Sequence, residues 1–199
     1  DLTRFAPPSE GGRASAVLML FGDAAAGRSD ATPDPDLLLI ERAHDMRSHA
    51  GQPAFPGGAI DPDDADEIAA ALREAEEETG IDPSGVVPFG VLPDLFLPPS
   101  GFVVTPVLGW WRTPSPVRVV DPGEVRPVHR VALDELLDPR NRVTVAHPSG
   151  YRGPGFEVDG LLVWGFTAGL IARVLSLAGW EREWDPHKLV TAPVIGTSR

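Results

Sequence analysis

Cysteine is absent from this sequence of 199 residues, which also lacks long apolar runs and has few basic residues. Without cysteine the chain forms no disulfide, no thiolate metal site and no thiol nucleophile. No apolar run approaches the roughly 18 residues needed to span a membrane, and the first 13 residues contain no apolar signal core. We therefore expect no membrane association and a cytoplasmic location.

Basic residues are also in short supply. The chain has 17 Lys and Arg against 29 Asp and Glu, which gives a net charge of −12. Such a chain lacks the general attraction to phosphate backbones that supports nucleic-acid binding, so we expect no nucleic-acid partner. The acidity is local, because the segment 61–78 has nine acids and a single base, Arg73.

Glycine and proline, by contrast, are abundant. The 21 glycines and 22 prolines are nearly twice the share of an average soluble domain, while 42% of the residues are hydrophobic. This composition predicts a folded, loop-rich chain rather than a disordered one. The length favours one domain over residues 1–199.

Hydrophobic patterning predicts an alternation of strands and helices. A strand at 14–21 is expected to pair antiparallel with one at 37–40, and the glycines and prolines of 44–62 are expected to exclude any extended regular element. A helix capped by Asp63 or Asp64 should run to Gly80. Further strands are predicted at 86–92, 102–111, 125–131, 143–146 and 156–158, and helices at 133–137 and 163–177.

The acidic helix contains the clearest chemical signal. Glu74, Glu77 and Glu78 have i, i+3 and i+4 spacing, so their carboxylates converge on one side of the helix. Glu76 lies about 200° around the helix from Glu74 and is expected to face solvent. Three like charges on one side repel one another unless a cation lies between them.

Two neighbouring features favour a metal site over a merely solvated acidic face. The turn Phe55-Pro56-Gly57-Gly58 precedes the helix and brings bare backbone close to it, so that a carbonyl can serve as a further oxygen ligand. Arg73 can hold a neighbouring carboxylate in fixed geometry. An all-oxygen ligand set suits Mg²⁺ or Mn²⁺, and the expected chemistry is attack of water on a phosphoanhydride.

The segment from Gly58 to Ile81, GAIDPDDADEIAAALREAEEETGI, resembles the Nudix box, GX5EX7REUXEEXGU, of diphosphate hydrolases. Arg73-Glu74, Glu77-Glu78 and Gly80-Ile81 match its second half. The spacing from Gly58 to Arg73 is one residue longer than the general pattern, so the first acid of the box falls between Asp64 and Glu67.

The upstream segment LLLIERAHDMRSHAGQPAFPGG is similar to the additional motif of the coenzyme A pyrophosphatase branch of Nudix hydrolases. Arg42, Arg47, Gly51 and the turn Phe55–Gly58 match that motif. Later segments, among them Val163-Trp164-Gly165 and Thr167-Ala168-Gly169, are similar to the same branch. The recognisable part of the chain is about 14–178.

By this resemblance, Glu74, Glu77 and Glu78 and the carbonyl of Gly57 hold the catalytic metal ions, and Arg73 orients the glutamates. For Asp61, Asp64 and Glu67 two interpretations stay open: helix capping with compensation of the helix dipole, or a role around the metal.

Four further residues are candidates for catalysis or substrate binding. Glu124 is the candidate catalytic base, with an exposed turn acid as the equal alternative. Arg42, Arg47 and His49 precede the box, where cations could meet the diphosphate or the 3′-phosphate of coenzyme A.

The resemblance implies a Nudix α/β/α sandwich, with a mixed sheet between helices and the box as loop, helix and loop. It implies a Mg²⁺- or Mn²⁺-dependent hydrolase that splits the diphosphate of coenzyme A or its acyl derivatives. One alternative is a Nudix hydrolase of ADP-ribose or another nucleoside diphosphate derivative, and another is a non-catalytic Nudix-fold binding or regulatory module. We expect a small-molecule substrate and a homodimer.

Overall fold

Residues 11–26, 32–42, 51–97, 101–120, 125–148 and 150–193 are described in the computed structural model of the chain. Of the candidate site residues, Arg47, His49 and Glu124 lie outside these ranges. The backbone of 125 and 126 is described without their side chains. In the described part of the chain, twelve strands form two sheets, and three α-helices accompany them.

The larger sheet has eight strands and is mixed. Its central path runs β3, β2, β1, β7, β5, with β4 beside β1, β6 beside β7 and β8 beside β2. The long strands β1 and β7 are parallel, and the other pairings in this sheet are antiparallel. The strands are β1 Arg13–Asp23, β2 Pro35–Arg42, β3 Pro53–Ala54, β4 Gly57–Ala59, β5 Val86–Val91, β6 Leu95–Leu97, β7 Phe102–Trp111 and β8 Val125–Ala132.

The segment 53–59 bridges the two first strands of this sheet. β1 and β2 pair antiparallel, as predicted, where Phe21–Asp23 meets Pro35–Leu37. Farther along, β2 takes β3 as its partner and β1 takes β4. The expectation that 44–62 excludes extended structure was therefore wrong for β3 and β4, which are too short to leave a periodic pattern. The turn between these two strands is fixed to both β2 and β1.

The three helices are α1 Glu67–Thr79, α2 Leu133–Leu137 and α3 Gly165–Leu177. The N-cap of α1 is Asp66, whose side chain accepts a hydrogen bond from the N–H of Ala69 at 2.8 Å, so the expected cap at Asp63 or Asp64 was wrong. Gly80 ends the helix as predicted, in the left-handed conformation with φ of 69°. Its N–H donates to the carbonyl of Glu76.

The large sheet lies between α1 and α3, which confirms the α/β/α arrangement. Small side chains let α1 approach the sheet closely, because Ala70, Ala71 and Ala75 are fully buried against alternate residues of β1. The opposite face of the sheet packs on α2 and α3, where Ile171 and Leu175 are buried in the larger core cluster. This sandwich fixes α1 beside β1 and β4.

A second, four-stranded sheet covers the α3 side and was not predicted as a separate layer. Its strands lie in the order β11, β10, β9, β12. They are β9 Arg142–Ala146, β10 Arg152–Val158, β11 Leu161–Val163 and β12 Leu189–Thr191. β11 lies beside β3 of the large sheet, so the second sheet reaches the segment that leads into the glycine turn.

No helix among the described ranges is both long and apolar enough to cross a membrane.

Candidate active site

Arg73 is the centre of a network of oxygen acceptors. Its Nε and Nη2 donate to the two carboxylate oxygens of Asp64, at 3.0 and 2.9 Å. Its Nη1 donates to Glu74 Oε1 at 3.0 Å and to Glu77 Oε2 at 3.1 Å, and Nη2 also reaches the carbonyl of Ala59 at 3.0 Å. The rigid fork of donors on a guanidinium can hold several carboxylates at once. Arg73 thus contacts two of the candidate glutamates, and its role in orienting them for catalysis stays a prediction.

Asp64 is the partner that fixes Arg73 on the side away from the glutamates. Only 7% of its side chain is exposed, and its Oδ2 also accepts a hydrogen bond from the N–H of Asp61 at 2.8 Å. The hydrogen bond from Arg73, followed by the one from Asp61, lowers the pKa of the Asp64 carboxyl. The same contact, with Glu74 adding to it, raises the pKa of Arg73, so both groups are ionised at neutral pH.

The three acids of the first half of the box differ in their contacts, and a role of any of them around the metal stays a prediction. Asp64 makes the bidentate pair with Arg73 and does not cap the helix. Asp61 lies farther off, with its carboxylate 3.6 Å from Arg73 and 62% exposed. Glu67 is the acidic residue of the first turn of α1, where it compensates the helix dipole.

The glycine turn lies directly against the glutamates of α1. The N–H of Gly57 donates to Glu78 Oε2 at 2.9 Å, and Glu78 is only 6% exposed. A Cβ on Gly58 would lie 2.5 Å from the carboxylate of Glu74, and a Cβ on Gly57 would lie 2.3 Å from the carbonyl oxygen of Ala16. The structure therefore brings Gly57, Gly58, Glu74 and Glu78 together. This close approach needs glycine at both positions, because a side chain at 57 would clash with β1 and one at 58 would clash with Glu74.

The three candidate glutamates differ in exposure. Glu78 is buried, the side chain of Glu74 is 17% exposed, and that of Glu77 is 59% exposed. Glu76 is exposed and faces away, as helical geometry predicted. Within the ranges that the structure describes, no three acidic or histidine side chains are grouped tightly enough to hold one metal ion as they stand. The donors are nevertheless all oxygen, which is the set that Mg²⁺ and Mn²⁺ prefer.

Arg42 is the last residue of β2 and is bonded to the chain just before β3. Its N–H donates to the carbonyl of Gln52 at 3.1 Å, and its carbonyl accepts from the N–H of Gly51 at 2.8 Å. The Nε of Arg42 is buried and has no hydrogen-bond partner among the residues that the structure describes. The other two basic candidates, Arg47 and His49, lie outside the described residues and stay predictions.

The segment before Glu124 is attached to the end of α1, a feature that the sequence did not reveal. The N–H of Arg118 donates to the carbonyl of Thr79 at 2.9 Å, and that of Val120 donates to the carbonyl of Glu78 at 3.4 Å. Val120, the last described residue before Glu124, is therefore bonded to the backbone of a candidate metal ligand. Glu124 itself lies outside the described residues.

The family model for the NUDIX domain matches residues 17–149, a span that includes the glycine turn, α1 and the Arg73 network. The chain belongs to the Nudix family. It is 44% identical over 152 residues to the uncharacterized Nudix hydrolase NudL of Escherichia coli strain K12, and the match covers 73% of this chain and 76% of the relative. NudL of Shigella boydii serotype 4 gives the same figures.

A solved structure supports the Nudix fold. A Nudix hydrolase from M. smegmatis, RenU, superposes with a TM-score of 0.54, and the match covers 85% of this chain and 88% of that one. The sequence identity is 17%, so this likeness concerns the fold alone.

Membership of the Nudix hydrolases makes the chain an enzyme that hydrolyses phosphoanhydrides in small molecules of the nucleoside diphosphate class, with the divalent metal cations that such enzymes use. The single domain over residues 1–199, the homodimer and the cytoplasmic location stay predictions.

Proposed function

We propose that this Nudix hydrolase is a Mg²⁺- or Mn²⁺-dependent pyrophosphatase of coenzyme A and its acyl derivatives. The observation that carries the hydrolytic part is the contact of the Gly57–Gly58 turn with Glu74 and Glu78, with Arg73 holding Glu74 and Glu77 from the other side. The preference for coenzyme A is supported by the motif upstream of the box, which includes Arg42.

The residues present fit a divalent cation. Glu74, Glu77, Glu78 and the carbonyl of Gly57 would hold it, because they provide carboxylate and carbonyl oxygens on one side of α1. Glu74 and Glu77 would reach it by rotating about their own side-chain torsions, with Arg73 still fixed by Asp64. When bound, the cation neutralises diphosphate charge and lowers the pKa of an attacking water.

Protein groups complete the hydrolysis. The oxygen of water forms a bond to one phosphorus of the diphosphate, and the bond from that phosphorus to the bridging oxygen breaks. We assign the proton of the water to Glu124. The products are adenosine 3′,5′-bisphosphate and 4′-phosphopantetheine, or the acylated form of the latter when the substrate is an acyl derivative.

Cationic groups upstream of the box would bind the substrate. Arg42 lies at the end of β2, and we assign Arg47 and His49 to the same role. A guanidinium makes paired hydrogen bonds to phosphate oxygens, so Arg42 and Arg47 suit either the diphosphate or the 3′-phosphate.

The test is a panel of coenzyme A, dephospho-coenzyme A and ADP-ribose, each assayed with Mg²⁺ and with Mn²⁺ and with the products identified by mass. We expect fastest cleavage of coenzyme A and formation of adenosine 3′,5′-bisphosphate. Equally slow cleavage of coenzyme A and dephospho-coenzyme A, with fast cleavage of ADP-ribose, would overturn coenzyme A as the substrate and favour ADP-ribose. No metal-dependent cleavage of any of the three would favour a binding module.

A pair of variants of the same helix links the activity to the proposed site. Glu78→Gln removes a charge that contacts the glycine turn, whereas Glu76→Gln removes one from the exposed face. We expect Glu78→Gln to abolish most of the turnover and to weaken Mn²⁺ binding, and Glu76→Gln to do neither. Equal turnover of the two variants would contradict the assignment.

A further inference from the structure

Thr167, in the first turn of α3, makes a long-range hydrogen bond to the segment that leads into the glycine turn. Its Oγ1 donates to the carbonyl of Pro53 at 3.0 Å, across 114 positions of sequence. Thr167 is 6% exposed, and Pro53 is also buried. A threonine within a helix usually bonds its hydroxyl to the carbonyl four residues earlier, as Thr79 does with Ala75 at 2.6 Å. Thr167 instead ties its helix to another layer.

The register of β2 and β3 explains why the carbonyl of Pro53 needs this donor. Ala54 lies opposite Ile40, and the N–H of Arg42 donates to Gln52. In an antiparallel pair, alternate residues direct their backbone groups toward the partner strand, so the carbonyl of Pro53 is directed away from β2. A buried carbonyl without a donor costs free energy, and Thr167 supplies the donor.

The path from this bond to the candidate metal site is four residues long. After Pro53, Ala54 is paired with Ile40, and Phe55 is 3% exposed in the core. The carbonyl of Pro56 accepts from the N–H of Leu18 at 2.8 Å, and the N–H of Gly57 then donates to Glu78. Successive residues of this short segment are fixed to different elements, and the bond from Thr167 is the first of the contacts that together place Gly57.

We infer that Thr167 is a positioning residue of the metal site: its hydroxyl sets the segment 53–58, and thereby places Gly57 and Gly58 against Glu78 and Glu74. The inference rests on the proposed function, because it assumes that these groups hold the divalent cation. Thr167 does not touch the candidate ligands. It acts through the backbone of 53–58, which carries Gly57 and packs against the glutamates of α1.

The test is a titration of the full chain with Mn²⁺ in the absence of substrate, in which the concentration of free Mn²⁺ is measured by electron paramagnetic resonance. In Thr167→Val the side-chain shape is retained and the hydroxyl is lost, and we expect the dissociation constant for Mn²⁺ to rise about five-fold, the effect of one buried hydrogen bond. Thr167→Ser keeps the donor and should restore binding to within about two-fold of the wild type. Thr167→Ala provides the same comparison if the valine variant does not fold.

The matched control is Ile171→Val, one helical turn farther along α3. Ile171 is 1% exposed, and its truncation should lower the melting temperature while leaving the Thr167 hydroxyl in place. Unchanged Mn²⁺ affinity in this control, together with weakened binding in Thr167→Val, supports the inference. Equal weakening in both variants, or wild-type affinity in the folded Thr167→Val and Thr167→Ala variants, overturns it.

The wild type separates this inference from the proposed function. If the wild type binds no Mn²⁺, or if Glu78→Gln binds Mn²⁺ as tightly as the wild type does, the proposed metal site fails and the positioning role fails with it. If the wild type binds Mn²⁺ and the Thr167 variants bind it equally well, only the positioning role is overturned.

Discussion

Replacing Gly58 with alanine tests whether Glu74 needs the space that the glycine turn leaves beside its carboxylate. The new Cβ would lie 2.5 Å from the Cδ and Oε1 of Glu74 and 2.7 Å from Oε2, whereas ordinary contact begins at 3.4 Å. The carboxylate must therefore move by about 1 Å, and because it ends a flexible side chain, it can do so without unfolding the protein. Gly58 does not have a positive φ, so alanine adopts the same backbone conformation.

The displacement should affect catalysis far more than stability. A misplacement of about 1 Å in a catalytic constellation costs on the order of 100-fold in rate, which corresponds to about 2.7 kcal/mol of transition-state stabilisation. The move also disturbs the contact between Glu74 and Arg73 Nη1. We expect kcat/KM for diphosphate hydrolysis to fall by about 100-fold, with a melting temperature close to that of the wild type.

Gly169→Ala is the matched control. Gly169 lies within α3, and a Cβ there would meet nothing within 4 Å. Alanine in a helix interior is more favourable than glycine by about 0.5–1 kcal/mol, so this variant should be slightly more stable and fully active. Turnover of Gly58→Ala within about three-fold of the wild type, under conditions where it binds substrate normally, would refute the role assigned to Glu74.

Three other perturbations have defined outcomes. Asp64→Ala removes two hydrogen bonds from Arg73 and should lower kcat/KM much more than Asp61→Ala does. Because the pKa of Asp64 is lowered in the folded protein, the stability that its carboxylate contributes is present above a pH of about 4 and is lost as the pH falls through the lowered pKa. An acid titration of stability in both variants would detect this difference. Glu124→Gln should reduce turnover by about 100-fold or more with Mn²⁺ binding intact, and near-normal turnover would exclude it as the base. Phe156→Ala, at a fully buried position, should lower the free energy of unfolding by about 3–5 kcal/mol in urea titrations, whereas Leu177→Ala at a 62% exposed position should have little effect.

The sequence predicted the elements whose signals are local. The alanine, leucine and glutamate content of 67–79, followed by Gly80, predicted α1, and the apolar run 102–111 predicted β7. The convergence of Glu74 and Glu78 followed from helical spacing. In each case the periodicity of side chains within one segment was sufficient.

The remaining features depend on contacts between distant segments. The choice of Asp64 rather than Asp63 or Glu67 as the partner of Arg73 depends on how the loop 60–66 folds over the helix, which spacing does not show. The acceptor at Ala59 is a backbone carbonyl, so its residue type gives no signal. Strands such as β3 and β12, of two and three residues, exist through their pairing partners rather than through their own pattern.

The bridging position of the segment 53–59 between β1 and β2 has a consequence for folding order. β1 pairs in parallel with β7, where Ser15 lies opposite Val104, so the sheet that receives β4 depends on contacts of long sequence separation. Such contacts form slowly because the entropy of closing long loops is lost before they stabilise the chain. The Gly57–Gly58 turn reaches its place only on a completed β1. A peptide of residues 57–81 contains all four candidate ligands but lacks the strand that holds the turn against the helix, so we expect it to bind a divalent cation more weakly than the full chain.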